Sequence, residues 1–127
     1  MAKDEQRITI AKPADEVWAV AGDFGGLATW FPGMAACTLE GDDRHLDMGG
    51  MKVVERLYER DDAARTYTYG IVDGVPVEHH RATVTVSPSG DGSEVVWAYD
   101  VRPDEMTPML GGAYTNALQA LKAKLEG

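Results

Sequence analysis

From Met51 onward, hydrophobic and polar residues alternate through three successive runs. Met51–Arg60 reads as one long strand, with Val53, Glu55 and Leu57 on one face and Val54, Arg56 and Tyr58 on the other. Asp61–Ala64 is a polar turn, and Arg65–Val72 returns as a second strand with Tyr67, Tyr69 and Ile71 on a common face. Asp73-Gly74 is a turn signal, because glycine accepts the positive φ that such turns need. Val77–Val86 makes a third strand, placing His80, Ala82, Val84 and Val86 opposite Arg81, Thr83 and Thr85. Together the runs predict an antiparallel meander. With the apolar faces aligned, Glu55, two tyrosine hydroxyls and an imidazole point into an otherwise apolar interior. That pattern fits a lined pocket better than a plain core.

The flanking stretches complete the architecture. Arg7–Ile10 alternates as a short first strand. Pro13 opens a helix whose apolar face carries Val17, Trp18, Val20 and Ala21 and which Gly22 closes. Leu27–Phe31 is a second short helix, ended by Pro32-Gly33. Met34–Glu40 reads as a strand, Gly41–Arg44 as a turn, His45–Met48 as a brief strand and Gly49-Gly50 as a loop. Ser87–Ser93 reads as a long hairpin loop, followed by Glu94–Val101 with Val95, Trp97, Tyr99 and Val101 on one face. Thr107 is placed to cap a final helix with Pro108 at its first position. That helix runs to Glu126, with Leu110, Tyr114, Ala117, Leu118, Leu121 and Leu125 as its apolar stripe. Gly111-Gly112 near its start either leaves room beside a cavity or packs closely on a neighbour. The predicted class is α+β: a curved seven-stranded antiparallel sheet around one long C-terminal helix, with two short helices after the first strand.

Composition narrows the function. The 127 residues suit a single domain spanning 1–127. With 12 basic against 21 acidic side chains, the net charge is −9, which repels nucleic-acid phosphates and anionic membranes. One cysteine, Cys37, fits a reducing compartment and has no activating base nearby in sequence. No apolar run is long enough to insert in a membrane, and Met1–Arg7 lacks a signal-peptide core, so the expected compartment is the cytoplasm.

Two residues carry candidate chemistry. Glu55 on an apolar face is costly to bury unpaired, so it would serve as an acid or base, pair with an inward-reaching arginine, or sit solvated at a cavity mouth. His80 would shuttle protons or bond a ligand carbonyl, or simply be satisfied by a tyrosine or backbone partner, with Glu55 or Tyr69 as candidates; a Glu55–His80 pair would be a proton-transfer unit. His79 should face solvent, and His79, His80 and His45 do not make metal-ligand spacing, so neither metal nor cofactor is expected. Tyr67, Tyr69, Tyr99 and Tyr114 supply hydroxyls in an aromatic wall, with at least one expected to reach the surface instead. Trp30 and Trp97 flank the expected cavity, and Trp18 belongs to the core.

The order of elements and several motifs resemble the Bet v 1-like, or START-like (SRPBCC), helix-grip superfamily, in particular its bacterial polyketide cyclase/dehydrase branch. The matching pieces are Pro13–Trp18, Asp23-Phe24 with Trp30–Gly33, Glu55-Arg56-Leu57, Tyr69–Gly74, His80-Arg81-Ala82 and Gly92–Trp97. The plant abscisic-acid receptors resemble the chain more distantly. By position their cavity Glu-Arg-Leu strand falls at Glu55, a cavity phenylalanine at Tyr69 and a cavity tyrosine at His80. Their carboxylate-gripping lysine falls at Ala35, and their gate and latch are replaced by Asp47–Met51 and Val75–Val77, which argues against a hormone receptor.

The resemblance implies a hydrophobic small-molecule ligand, aromatic or polycyclic, held between sheet and helix. The expected ligand-binding set is Trp30, Val53, Glu55, Tyr67, Tyr69, Ile71, His80, Trp97, Tyr99, Leu110 and Tyr114. The alternatives are a polyketide cyclase or dehydratase using Glu55 and His80 as acid and base, and a ligand-gated module that binds a protein partner or a second copy of itself.

Overall fold

The computed structural model describes residues 2–127; Met1, part of the opening segment read above, lies outside them. Seven antiparallel strands form one sheet in the order β1-β7-β6-β5-β4-β3-β2. They span Ala2–Ile10 (β1), Ala36–Glu40 (β2), Asp43–Met48 (β3), Met51–Asp61 (β4), Thr66–Asp73 (β5), His79–Ser89 (β6) and Gly92–Arg102 (β7). A helix α1 at Ala14–Ala21 and a 3₁₀ segment at Phe24–Thr29 follow β1, and α2 at Thr107–Glu126 ends the chain. The curved sheet grips α2, which is the helix-grip arrangement the sequence predicted.

The three central strands form the expected antiparallel meander, β4-β5-β6. On β4, Val53 and Glu55 are buried while Arg56 is exposed, and on β6 His80, Ala82, Val84 and Val86 are all buried. Register shifts between Val54 and Glu55 and between Leu57 and Glu59 bulge β4, which bends a strand and raises its local twist. Gly74 takes φ +94° and lies against the backbone of Lys52 and Val53, so the turn needs both its left-handed conformation and its missing side chain.

Several boundaries differ from expectation, each for a local reason. β1 begins at Ala2 because the charged residues ahead of Arg7 still pair with β7, as an edge strand can. The Ser87–Ser93 loop is instead a tight turn at Gly90-Asp91, since Pro88 and Ser89 stay in the ladder opposite Ser93 and Gly92. β6 starts at His79, and Val77 lies in the loop before it. The second short helix begins at Phe24 and is 3₁₀. Thr107 does not cap α2: a 3₁₀ turn at Asp104–Met106 runs into the helix, so Thr107 is already helical and its hydroxyl is buried without a partner.

The largest correction is at Gly41–Arg44. The turn closes at Gly41-Asp42, with Gly41 at φ +62°, and Asp43 pairs with Glu40 to start β3. Arg44 is therefore a strand residue on the same face as buried Leu46 and is itself fully buried.

Candidate functional site

A partly enclosed cavity of about 180 Å³ lies between the sheet and α2. β4 contributes Val53 and Glu55, β5 Tyr69 and Ile71, and β7 Trp97. From α2 come Leu110, Ala113 and Tyr114. Four methionines, Met34, Met48, Met51 and Met109, also line it, and Met51 and Met109 are exposed and mark its mouth. Thioether side chains are flexible and polarizable, which suits an entrance that adapts to its occupant. A larger groove of about 560 Å³ on the outer sheet face, beside Lys3, Asp4 and Arg81, opens broadly to solvent. The inner cavity is the better candidate because its walls are aromatic and apolar with few polar groups.

Of the sequence-predicted set, Trp30, Tyr67, His80 and Tyr99 are buried but stand outside the cavity wall. Trp30 lies behind it, edge-to-face with Trp97 at 6.3 Å between ring centroids. Tyr67 packs between Trp18 and Phe24. The Tyr99 hydroxyl points away to Asp4 at 3.2 Å, with Gln6 at 3.4 Å, and is the one that leaves the interior.

Glu55 is paired with Arg44, its cross-strand neighbour, which is the inward-reaching arginine among its expected partners, and the alternative Glu55–His80 pair does not form. Arg44 Nε donates to Glu55 Oε1 at 2.8 Å, and Nη1 donates to the Phe24 carbonyl at 3.2 Å. Arg44 Nη2 is 2.7 Å from the same Glu55 oxygen and completes the ion pair. The guanidinium also lies 4.0 Å from the Phe24 ring centroid and 4.8 Å from that of Tyr69, a cation–π arrangement. Burial works against the Arg44 charge, yet Glu55, Tyr67 and Tyr69 outweigh it and raise the pKa. Sequence reading missed Arg44 because Gly41-Asp42-Asp43-Arg44 is polar like a turn. The alternation of Arg44, Leu46 and Met48 was the signal that could have found it.

His80 belongs to a second network. The β5–β6 ladder stops at Tyr69–Ala82, and beyond it the Ile71 N–H donates to His80 Nδ1 at 3.1 Å. His80 Nε2 lies 2.8 Å from Tyr114 Oη, Tyr69 Oη 3.3 Å from the same oxygen, and Trp97 Nε1 donates to Tyr69 Oη at 3.0 Å. The Trp97 and Tyr114 rings stack at 4.3 Å. Burial, with a smaller push from the His79 charge, lowers the His80 pKa to about 4. Burial likewise raises the pKa of Tyr69 and Tyr114, so both stay protonated phenols. The half-buried Cys37 thiol is also pushed up by burial, the opposite of activation. Among the described residues no three His, Cys, Asp or Glu side chains converge to hold a metal ion.

Residues 1–126 match the family described as polyketide cyclase / dehydrase and lipid transport. The chain belongs to that family. Among solved structures, its fold is similar to that of XoxI from Bacillus cereus, with TM-score 0.93 and 29% identity over 98% of this chain and 96% of that one. A protein from Thermobifida fusca gives TM-score 0.86 and 32% identity, covering 98% and 93%. The Zhui aromatase/cyclase from Streptomyces sp. R1128 gives TM-score 0.78 and 24% identity over 98% and 93%, a likeness of fold. None of the curated proteins matches the chain. Among the described residues of this polyketide cyclase/dehydrase family member, no helix is long and apolar enough to cross a membrane.

Proposed function

We propose that this chain binds a compact, hydrophobic aromatic molecule in the cavity between the sheet and α2. The observation that carries the reading is the cavity itself, walled by Tyr69, Trp97, Tyr114 and aliphatic side chains. Its volume of about 180 Å³ is below the roughly 300 Å³ of sites for drug-sized ligands, which favours one- or two-ring molecules over sterols. The family to which the chain belongs, described as cyclase, dehydrase and lipid transport, is consistent with such a ligand. Binding is favoured over acid–base catalysis by Glu55 and His80, because Glu55 is held by Arg44 and His80 stands behind Tyr114 as a weak base.

The test is a combined tryptophan-fluorescence and thermal-shift titration against aromatic polyketides, flavonoids, fatty acids and sterols. Trp97 at the wall should report occupancy, and the compact aromatics should shift the melting temperature most. No response to any compact aromatic, or a response confined to sterols, would overturn the reading. Turnover of a bound polyketide by the wild-type chain would establish the cyclase or dehydratase alternative instead.

A further inference from the structure

The hydrogens of the Tyr69–Tyr114 network can be counted. Trp97 Nε1–H can only donate, and it ends one side of the chain on Tyr69 Oη. At the other end the Ile71 N–H donates to His80 Nδ1. A ring nitrogen that accepts carries no proton, so the neutral imidazole bears its proton on Nε2. His80 Nε2 therefore donates to Tyr114 Oη across 2.8 Å. Two hydroxyls stand between these two donors, 3.3 Å apart. They own two protons, and their mutual bond uses one. Neither end of the chain accepts the other. One hydroxyl proton is left without an internal acceptor, and both phenols line the cavity.

Arg44 belongs to the same wall, with its guanidinium over the Tyr69 ring. Its charge is balanced by Glu55, the one carboxylate among the described lining residues. A hydrocarbon ligand would bury the spare hydroxyl proton unpaired. A carboxylate ligand would bring a second negative charge to a site that is already neutral.

We infer that the cavity is built for a neutral ligand that presents a carbonyl oxygen, of a ketone or quinone, to the Tyr69–Tyr114 hydroxyl pair. This rests on the binding function proposed above and narrows it to a ligand class.

Three molecules on one bicyclic frame test it: tetralin, α-tetralone and tetralin-α-carboxylate. α-Tetralone should bind about tenfold more tightly than tetralin, the worth of one net hydrogen bond. It should also outbind the carboxylate, and its carbonyl stretch should fall below its value in cyclohexane. In the unliganded protein at neutral pH, imidazole nitrogen NMR shifts should show His80 protonated at Nε2. A proton on Nδ1 would overturn the inference whatever binds. Tetralin binding as tightly as the ketone, or the carboxylate binding best, would overturn it while leaving the cavity a binding site. Failure of all three to bind would overturn the binding function and the inference together.

Discussion

Arg44 and Glu55 face each other across β3 and β4, and almost no solvent reaches either side chain. Removing one partner of such a pair strands a buried charge and costs about 3–5 kcal/mol, whereas replacing both with apolar side chains is often near neutral. Arg44→Met and Glu55→Gln should each lower stability by about that much, and Arg44→Met with Glu55→Leu should recover most of it. Urea unfolding of the three variants measures this, and a double variant as unstable as the sum of the singles would refute it. His80 sets a pH dependence. Its pKa of about 4 in the folded chain lies below its ordinary 6.5, so between these values the unfolded chain binds more protons. The stabilisation is fully present above about pH 6.5, falls as the pH drops and levels off near 4, a loss of about 3 kcal/mol. Denaturation followed across that window should show the slope in the wild type and a flatter one in His80→Gln. The inward face of Glu55 and His80 was legible from alternation. The kind of partner, an arginine for Glu55 and a tyrosine or backbone group for His80, was among the alternatives, but which residue supplies it was not legible, because pairing depends on which strand lies alongside.

In α2 the two glycines have different causes, which the sequence left undivided. A Cβ on Gly111 would come within 2.7 Å of the Tyr99 hydroxyl, itself held between Asp4 and Gln6, so this position serves close packing. A Cβ on Gly112 would meet nothing within 4 Å. Gly112→Ala should therefore stabilise by up to about 1 kcal/mol through helix propensity, while Gly111→Ala should destabilise. Thermal denaturation of the two variants should give opposite signs; equal signs would refute the assignment. The strand elements were read well wherever alternation was unbroken. They were misread where polar residues such as Asp43-Arg44 or Pro88-Ser89 remain paired, since a ladder is satisfied by backbone groups whatever side chains it carries.

Across the whole molecule, a ligand in the cavity links binding to folding. At 100 times its dissociation constant it should stabilise the fold by about 2.7 kcal/mol, and the melting temperature should rise with its concentration. A bound ligand that leaves the melting temperature unchanged at saturation would show no preference for the folded chain, and the cavity would not be its site. The outer-face groove beside Arg81 offers a control, since a charged ligand there would leave Trp97 fluorescence unaltered.

Alternation, turn residues and the apolar stripe of α2 were enough to determine a seven-stranded sheet gripping a helix, because each is a local rule repeated along the chain. The same rules aimed Glu55, Tyr69, Trp97 and Tyr114 inward. The tertiary structure decided what each of them meets there. It brought Arg44 onto Glu55, set the Tyr69 and Tyr114 hydroxyls between the donors of Trp97 and His80, and sent the Tyr99 hydroxyl out to Asp4. Those outcomes turn on strand order, bulges and helix placement, which bring together residues far apart in sequence, and no short-range pattern encodes them.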